Sequence, residues 1–151
     1  MPELGITPGD RFQSEGKAEP AAKYQDHKDM YDSLLLCKFA PLSLTQTAEI
    51  LSSITGWEYT PLDVNKAGER SVNIKRAINN RLGITREDDK LPSVCTEVLE
   101  EGGTADKSPD MDILLKEYYD FRKWYWDTGK PSKEKLVELG LEGATRDLWP
   151  A

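Results

Sequence analysis

Residues 60–83 read TPLDVNKAGERSVNIKRAINNRLG, and this stretch decides the fold class. Thr60 followed by Pro61 is a helix start. The hydroxyl can accept an orphan N–H of the first turn, and proline loses nothing where no intrahelical donor is needed. Val64, Ala67, Ile74, Ile78 and Leu82 then share one side at helical spacing, and Gly83 stops the run. The predicted helix has roughly 20 residues, about 30 Å at 1.5 Å per residue. Arg70 and Asn73, or Arg76 and Asn80, are placed to tie the charged segment after Gly83 onto this helix, a role we favour over catalysis.

Upstream, Ser43 caps a helix whose apolar stripe is Leu44, Thr47, Ala48, Leu51 and Ile54, with Gly56 at its end. Before that, a first helix is expected from about Glu19 toward Leu36, carrying Tyr24, His27, Tyr31, Leu34 and Leu35. It gives way at Ala40-Pro41, because a residue before proline is pushed out of the helical region. Residues 1–18 hold Pro2, Gly5, Pro8, Gly9 and Gly16 and read as an irregular lead-in, with Leu4, Ile6 and Phe12 as apolar anchors. Such a start is expected of a chain cut from a longer one, with residues 19–151 as its helical body.

Downstream, residues 84–108 read as a long surface loop with one short helical turn. Ser108-Pro109-Asp110 opens a further helix, with Met111, Leu114, Leu115, Tyr118, Phe121, Arg122 and Tyr125 on its inner face. Ser132 caps a short last helix with Leu136 and Leu139, closed by Gly140. No segment alternates as a strand does. The expected class is all-α, an irregular helical domain of four to six helices.

The chain has 151 residues, enough for one domain with a core of its own. Charged residues are 31% and hydrophobic ones 38%, as in a globular protein. A net charge of −7 argues against a nucleic-acid surface. No apolar run is long enough to span a membrane, and the N-terminus lacks the pattern of a signal peptide. Two cysteines without a CxxC favour a reducing, cytoplasmic setting over a disulfide framework.

The chemistry rests on few groups. Cys37 follows three leucines, so burial as a small hydrophobe is the ordinary expectation. Its sharper reading is an iron ligand, but an iron–sulfur cluster takes four such groups and Cys95 stands in a different, loop-like region. Asp32 is a surface carboxylate or an acceptor for an N–H-rich ligand edge. His27, the only histidine, reads as a helix-face residue. No Ser/His/Asp set, zinc spacing or phosphate-binding loop is present. Six aromatics between Tyr118 and Trp126 exceed what one helix face buries, so some are expected to meet another domain or subunit.

Several stretches together resemble the tungsten-containing aldehyde ferredoxin oxidoreductases. Asp32-Ser33-Leu34-Leu35-Leu36-Cys37 resembles their aspartate-x-x-glycine-leucine-cysteine motif, and Ala67-Gly68-Glu69-Arg70-Ser71-Val72-Asn73 their AGER-x-x-N helix. Asp88-Asp89-Lys90-Leu91-Pro92 is similar to the acidic segment that follows. Tyr118-Tyr119, Arg122 and Gly129-Lys130-Pro131 are similar to the closing YY-x-x-R and GxP elements. The likeness runs from about residue 2 to 142. Three positions depart: Leu35 and Lys123 stand where glycine is usual, and Leu82 where glutamate is.

The resemblance implies a C-terminal helical domain of an enzyme that oxidises aldehydes to carboxylates at a tungsten (or molybdenum) held by two pterins. Electrons pass through a [4Fe–4S] cluster to ferredoxin. Carried over, Cys37 would be the fourth cluster ligand, Asp32 would accept hydrogen bonds from a pterin, and Leu36 would touch it through its backbone. No catalytic residue is carried over. The partners implied are the N-terminal and middle domains of the same enzyme and ferredoxin, with no nucleic acid and no membrane. Alone, the chain is expected to hold no cofactor and to be inactive. The competing reading is a stand-alone helical interaction module that has lost the redox chemistry, using residues 118–126 as its binding surface.

Overall fold

A computed structural model describes residues 2–7, 9–40 and 42–150. Among them the regular structure is helical, as expected: α1 Ala18–Ser33, α2 Leu44–Thr55, α3 Pro61–Arg81, α4 Met111–Arg122, α5 Lys133–Glu138 and α6 Glu142–Leu148. Short 3-10 turns lie at Pro2–Leu4, Arg86–Asp88 and Ser93–Cys95. The loop after α3 therefore holds two turns instead of one.

The capping signals act as read. Ser43 and Gln46 form a reciprocal capping box on α2, and Thr60 and Asp63 do the same on α3. Gly56 ends α2 in the left-handed conformation at φ 74°. Asp110 caps α4 through its carboxylate. The lead-in is better anchored than its composition suggests. Leu4 is buried, and the Glu3 carboxylate accepts from the Leu44 and Thr45 amides and the Thr45 hydroxyl, which lowers its pKa.

Three expectations need correction. First, α1 ends at Ser33, short of Leu36, in a Schellman closure. The Leu36 amide donates to the Tyr31 carbonyl at 3.0 Å and the Leu35 amide to Asp32 at 3.2 Å, with Leu35 left-handed at φ 55°. The bend expected at Pro41 falls on a residue outside those described. Second, the buried side of α3 is Val64, Gly68, Val72, Asn73, Arg76 and Ala77. Ile74, Ile78 and Leu82 face outward, because the inner side is built of small residues and of polar ones that find partners. Third, α4 ends at Arg122 with Lys123 left-handed, so Tyr125 lies beyond it, and its most buried residues are Tyr119 and Arg122. An additional helix, α6, forms in the tail.

Two apolar clusters result. One joins Leu4, Met30, Tyr31, Leu44, Ala48 and Val64; the other joins Ala77, Leu136, Leu139, Leu141 and Leu148. Between them runs a polar frame. Arg122 is fully buried and donates to Asp26 at 2.6 Å, to the Ala22 carbonyl at 2.9 Å and to Gln25 at 3.0 Å. Burial pushes the Asp26 carboxyl up to about 6, against the pull of Arg122. Arg76 donates to the Gly129 carbonyl at 2.7 Å, to Asp89 at 2.8 Å and to the Tyr119 hydroxyl at 3.0 Å. Tyr119 in turn donates to Asp89, and burial together with that hydrogen bond raises its pKa.

Candidate functional site: the corner that ends α1

The corner carrying Asp32, Leu36 and Cys37 is positioned by α1, and α1 is fixed from three sides. At Gly68, α3 passes so close that a Cβ would fall 1.8 Å from the Asp26 carbonyl oxygen. Only glycine permits this approach. From α4, Arg122 grips Asp26 and Ala22. From α2 and the lead-in, the first cluster packs on Met30 and Tyr31.

The remaining residues of the glycine-containing α3 segment hold the frame together. Glu69 pairs with Lys135 at 2.5 Å, Arg70 donates to the Leu139 carbonyl at 2.8 Å, and Trp124 donates to Asn73 at 2.9 Å. Arg76 reaches Asp89, and Asn80 reaches the Ile84 carbonyl at 3.0 Å, so the loop after α3 is tied down as expected. Arg70 and Asn73 serve α5 and the segment after α4 instead. Gly129 is left-handed at φ 68°, and a Cβ there would lie 1.8 Å from Arg76 Nη2. These motifs are therefore architectural.

The corner itself is open. Leu36 turns inward against the first cluster. The Tyr31 hydroxyl donates to the Leu42 carbonyl at 2.5 Å, pinning the far side of the loop. Between these anchors the Ala40 amide closes a turn on the Cys37 carbonyl at 2.8 Å. Cys37 is exposed on this turn and in no disulfide, so the expectation of a buried core thiol is overturned. A residue held at both ends by core packing can present a side chain outward without losing its place. Two large apolar side chains near it in the chain are exposed, Leu35 at 92% and Phe39 at 83%, with Lys38 over the Phe39 ring. Large apolar side chains clustered on a surface mark a contact face.

Asp32 lies on the last turn of α1 with its carboxylate accepting from Lys28. That pair is exposed and of little energetic weight. A cavity of about 180 Å³ opens beside the corner, between Tyr24, His27, Lys28, Tyr31 and Lys38. His27 meets Tyr31 with the rings tilted and their centroids 4.8 Å apart, and burial lowers the His27 pKa. Lys38 directly follows Cys37 in the sequence, whereas Lys28 was missed as a neighbour of the corner; its signal was the i, i+4 spacing to Asp32.

Cys95 is also exposed but lies in the loop after α3. Among the described residues no group of three or more His, Cys, Asp or Glu is arranged to hold a metal ion. The corner fits a single-thiolate contribution to a cluster completed by other groups. The aromatics of 118–126 are largely engaged within the chain. Tyr118 and Tyr119 meet Trp124 edge-on at 5.5 Å, Tyr119 meets Trp126 at 5.6 Å, and Tyr125 meets Trp149 at 5.3 Å.

Residues 1–141 match a protein family described as "Aldehyde ferredoxin oxidoreductase, domains 2 & 3". The chain is 34% identical over 132 residues to the tungsten-containing aldehyde ferredoxin oxidoreductase of Pyrococcus furiosus, a span of 85% of this chain and 22% of that relative. It is 32% identical over 133 residues to the protein of the same name from Pyrococcus abyssi, and 30% over 132 residues to that of Thermococcus kodakarensis, with the same shares covered. The chain thus spans about a fifth of the length of the curated relatives it matches. A helical frame built on Gly68, Arg76, Arg122 and Gly129, together with this match along nearly its whole length, shows that the chain belongs to the aldehyde ferredoxin oxidoreductase family.

Proposed function

We propose that this chain is the C-terminal helical part of a tungsten-dependent aldehyde:ferredoxin oxidoreductase and that Cys37 supplies one ligand to its [4Fe–4S] cluster. The observation that carries the reading is the Cys37 corner: a thiol on the surface, on a loop anchored at both ends that also exposes Leu35 and Phe39. A cluster needs about four ligands, and the sequence holds two cysteines. The others would come from polypeptide beyond these 151 residues.

When bound, the tungsten–pterin and the cluster would supply the two-electron oxidation of an aldehyde with water to a carboxylate and the route of the electrons to ferredoxin. The chain's own residues bind and orient. The Cys37 thiolate holds one iron. Asp32 would accept hydrogen bonds from the N–H edge of a pterin through Oδ2, since Lys28 engages only Oδ1. The Leu36 amide is committed to Tyr31, so the backbone contact made there comes from the Leu36 carbonyl. The apolar rim of Leu35 and Phe39, with the outward row Ile74, Ile78 and Leu82 on α3, would pack against the missing domains and exclude water. Exposed, unpaired thiols suit the cytoplasm.

Metal analysis of the purified 151-residue chain tests this reading. The expected result is neither iron nor tungsten in stoichiometric amount after anaerobic purification. One tungsten and four irons per chain would overturn it.

A further inference from the structure

A second site lies away from the Cys37 corner. A cavity of about 730 Å³ opens between the lead-in, the loop after α3 and the start of α4. That volume is in the range of small-molecule sites. Its walls are joined to one another. Arg11 donates to the Gly103 carbonyl at 3.3 Å, and the Asp110 amide donates to Ser14 Oγ at 3.1 Å. The Gly16 amide donates to the Glu117 carboxylate at 2.9 Å.

The lining divides into two kinds. The body is apolar, formed by Phe12, Val94, Leu99, Pro109 and Leu114. The charged groups are Arg11, Lys17 and Lys107 against a single carboxylate, Glu97. This is a positive surplus in a chain whose net charge is −7. Among the described residues none of the three cations is paired with a carboxylate. Arg11 lies over the Phe12 ring at 4.5 Å and Lys107 over the same ring at 5.9 Å. Cations that outnumber the carboxylates at a cavity with an apolar body attract an anion that carries its own apolar part.

We propose that this cavity binds a medium-chain organic carboxylate. The alkyl body packs on Val94, Leu99 and Leu114, and the carboxylate lies among Arg11, Lys17 and Lys107. The inference does not rest on the redox reading. It would stand if Cys37 held no iron.

Cys95 lines the cavity and serves as its reporter. In a Cys37→Ser chain it is the only thiol. The experiment follows its reaction with N-ethylmaleimide, a neutral reagent, in the presence of octanoate, octan-1-ol or acetate. Saturating octanoate should slow labelling at least about 5-fold, and the other two less than about 2-fold. Lys107→Met should raise the half-protecting octanoate concentration at least about 5-fold, with the helical circular dichroism unchanged. Calorimetric titration of the unsubstituted chain with octanoate should show one site. No protection and no heat would overturn the proposal. Equal protection by octan-1-ol, or an unchanged Lys107→Met response, would reduce the cavity to an apolar cleft and also overturn it. Equal protection by acetate would show a bare anion site, with the same consequence.

Discussion

At Gly68 the backbones of α1 and α3 touch, and the two buried charges beside that crossing, Asp26 and Arg122, are 3% and 0% exposed. At the far end of the same α1, Leu35 stands almost wholly in solvent and Cys37 beside it is exposed. One helix thus links a closed frame to an open corner. In the frame, every substitution meets a neighbour, so glycine and arginine are dictated by contact. At the corner, the backbone conformation is demanding but the side chains touch little. Two of the three departures from the family pattern share one backbone feature. Leu35 and Lys123, which stand where glycine is usual, are both left-handed, at φ 55° and 56°. Each position asks for glycine through its backbone angle, and each has room for a side chain. A leucine is tolerated there at a cost of about 1 kcal/mol.

The largest expected effect belongs to the frame. Arg122→Met leaves Asp26 buried without its counter-ion, and the loss of unfolding free energy in urea should be about 4 kcal/mol. A loss below about 1 kcal/mol would erase the distinction between frame and corner. A smaller effect follows from pH. The folded-state value of Asp26, about 6, lies above its unfolded reference of 3.8, so the folded protein takes up a proton in that interval first. The resulting stability is fully present below the unfolded value and is lost as pH rises through about 6. Asp26→Asn cannot titrate. Between pH 7 and 5, wild type should therefore gain about 1 kcal/mol relative to Asp26→Asn in parallel melts. An unchanged gap across that interval would place Asp26 in an ordinary ion pair with a depressed value, whose stability is lost only below the unfolded 3.8.

The smallest effect is at the corner. Leu35→Gly removes the left-handed strain but adds freedom to the unfolded chain, so a net gain of about 0.5 kcal/mol is expected. A loss of more than about 1 kcal/mol would mean that the exposed leucine is packed, contrary to an open corner.

The helix caps and the all-α class were legible because they are local: a hydroxyl, a proline or a glycine at a helix end acts through its own turn. The end of α1 was not. Leu34, Leu35 and Leu36 are good helix formers, and the glycine that usually marks a Schellman closure is missing, so the helix reads on too far. The inner face of α3 was misread for a different reason. Asn73 and Arg76 are buried because Trp124, Tyr119, Asp89 and Gly129 satisfy them, and those partners are remote in sequence. Periodicity alone selects Ile74, Ile78 and Leu82, which face out. The exposure of Cys37 was hidden too, since three preceding leucines suggest a core. Only one of them, Leu36, packs into it.

The claim that most depends on this geometry is that the corner presents Cys37 to a cluster. It is tested by electron paramagnetic resonance of the assembled, dithionite-reduced enzyme, prepared with this chain as wild type, Cys37→Ser or Cys95→Ser. The [4Fe–4S] signal is expected to be lost or converted to a lower-iron species in Cys37→Ser and unchanged in Cys95→Ser. An intact signal in Cys37→Ser would contradict it.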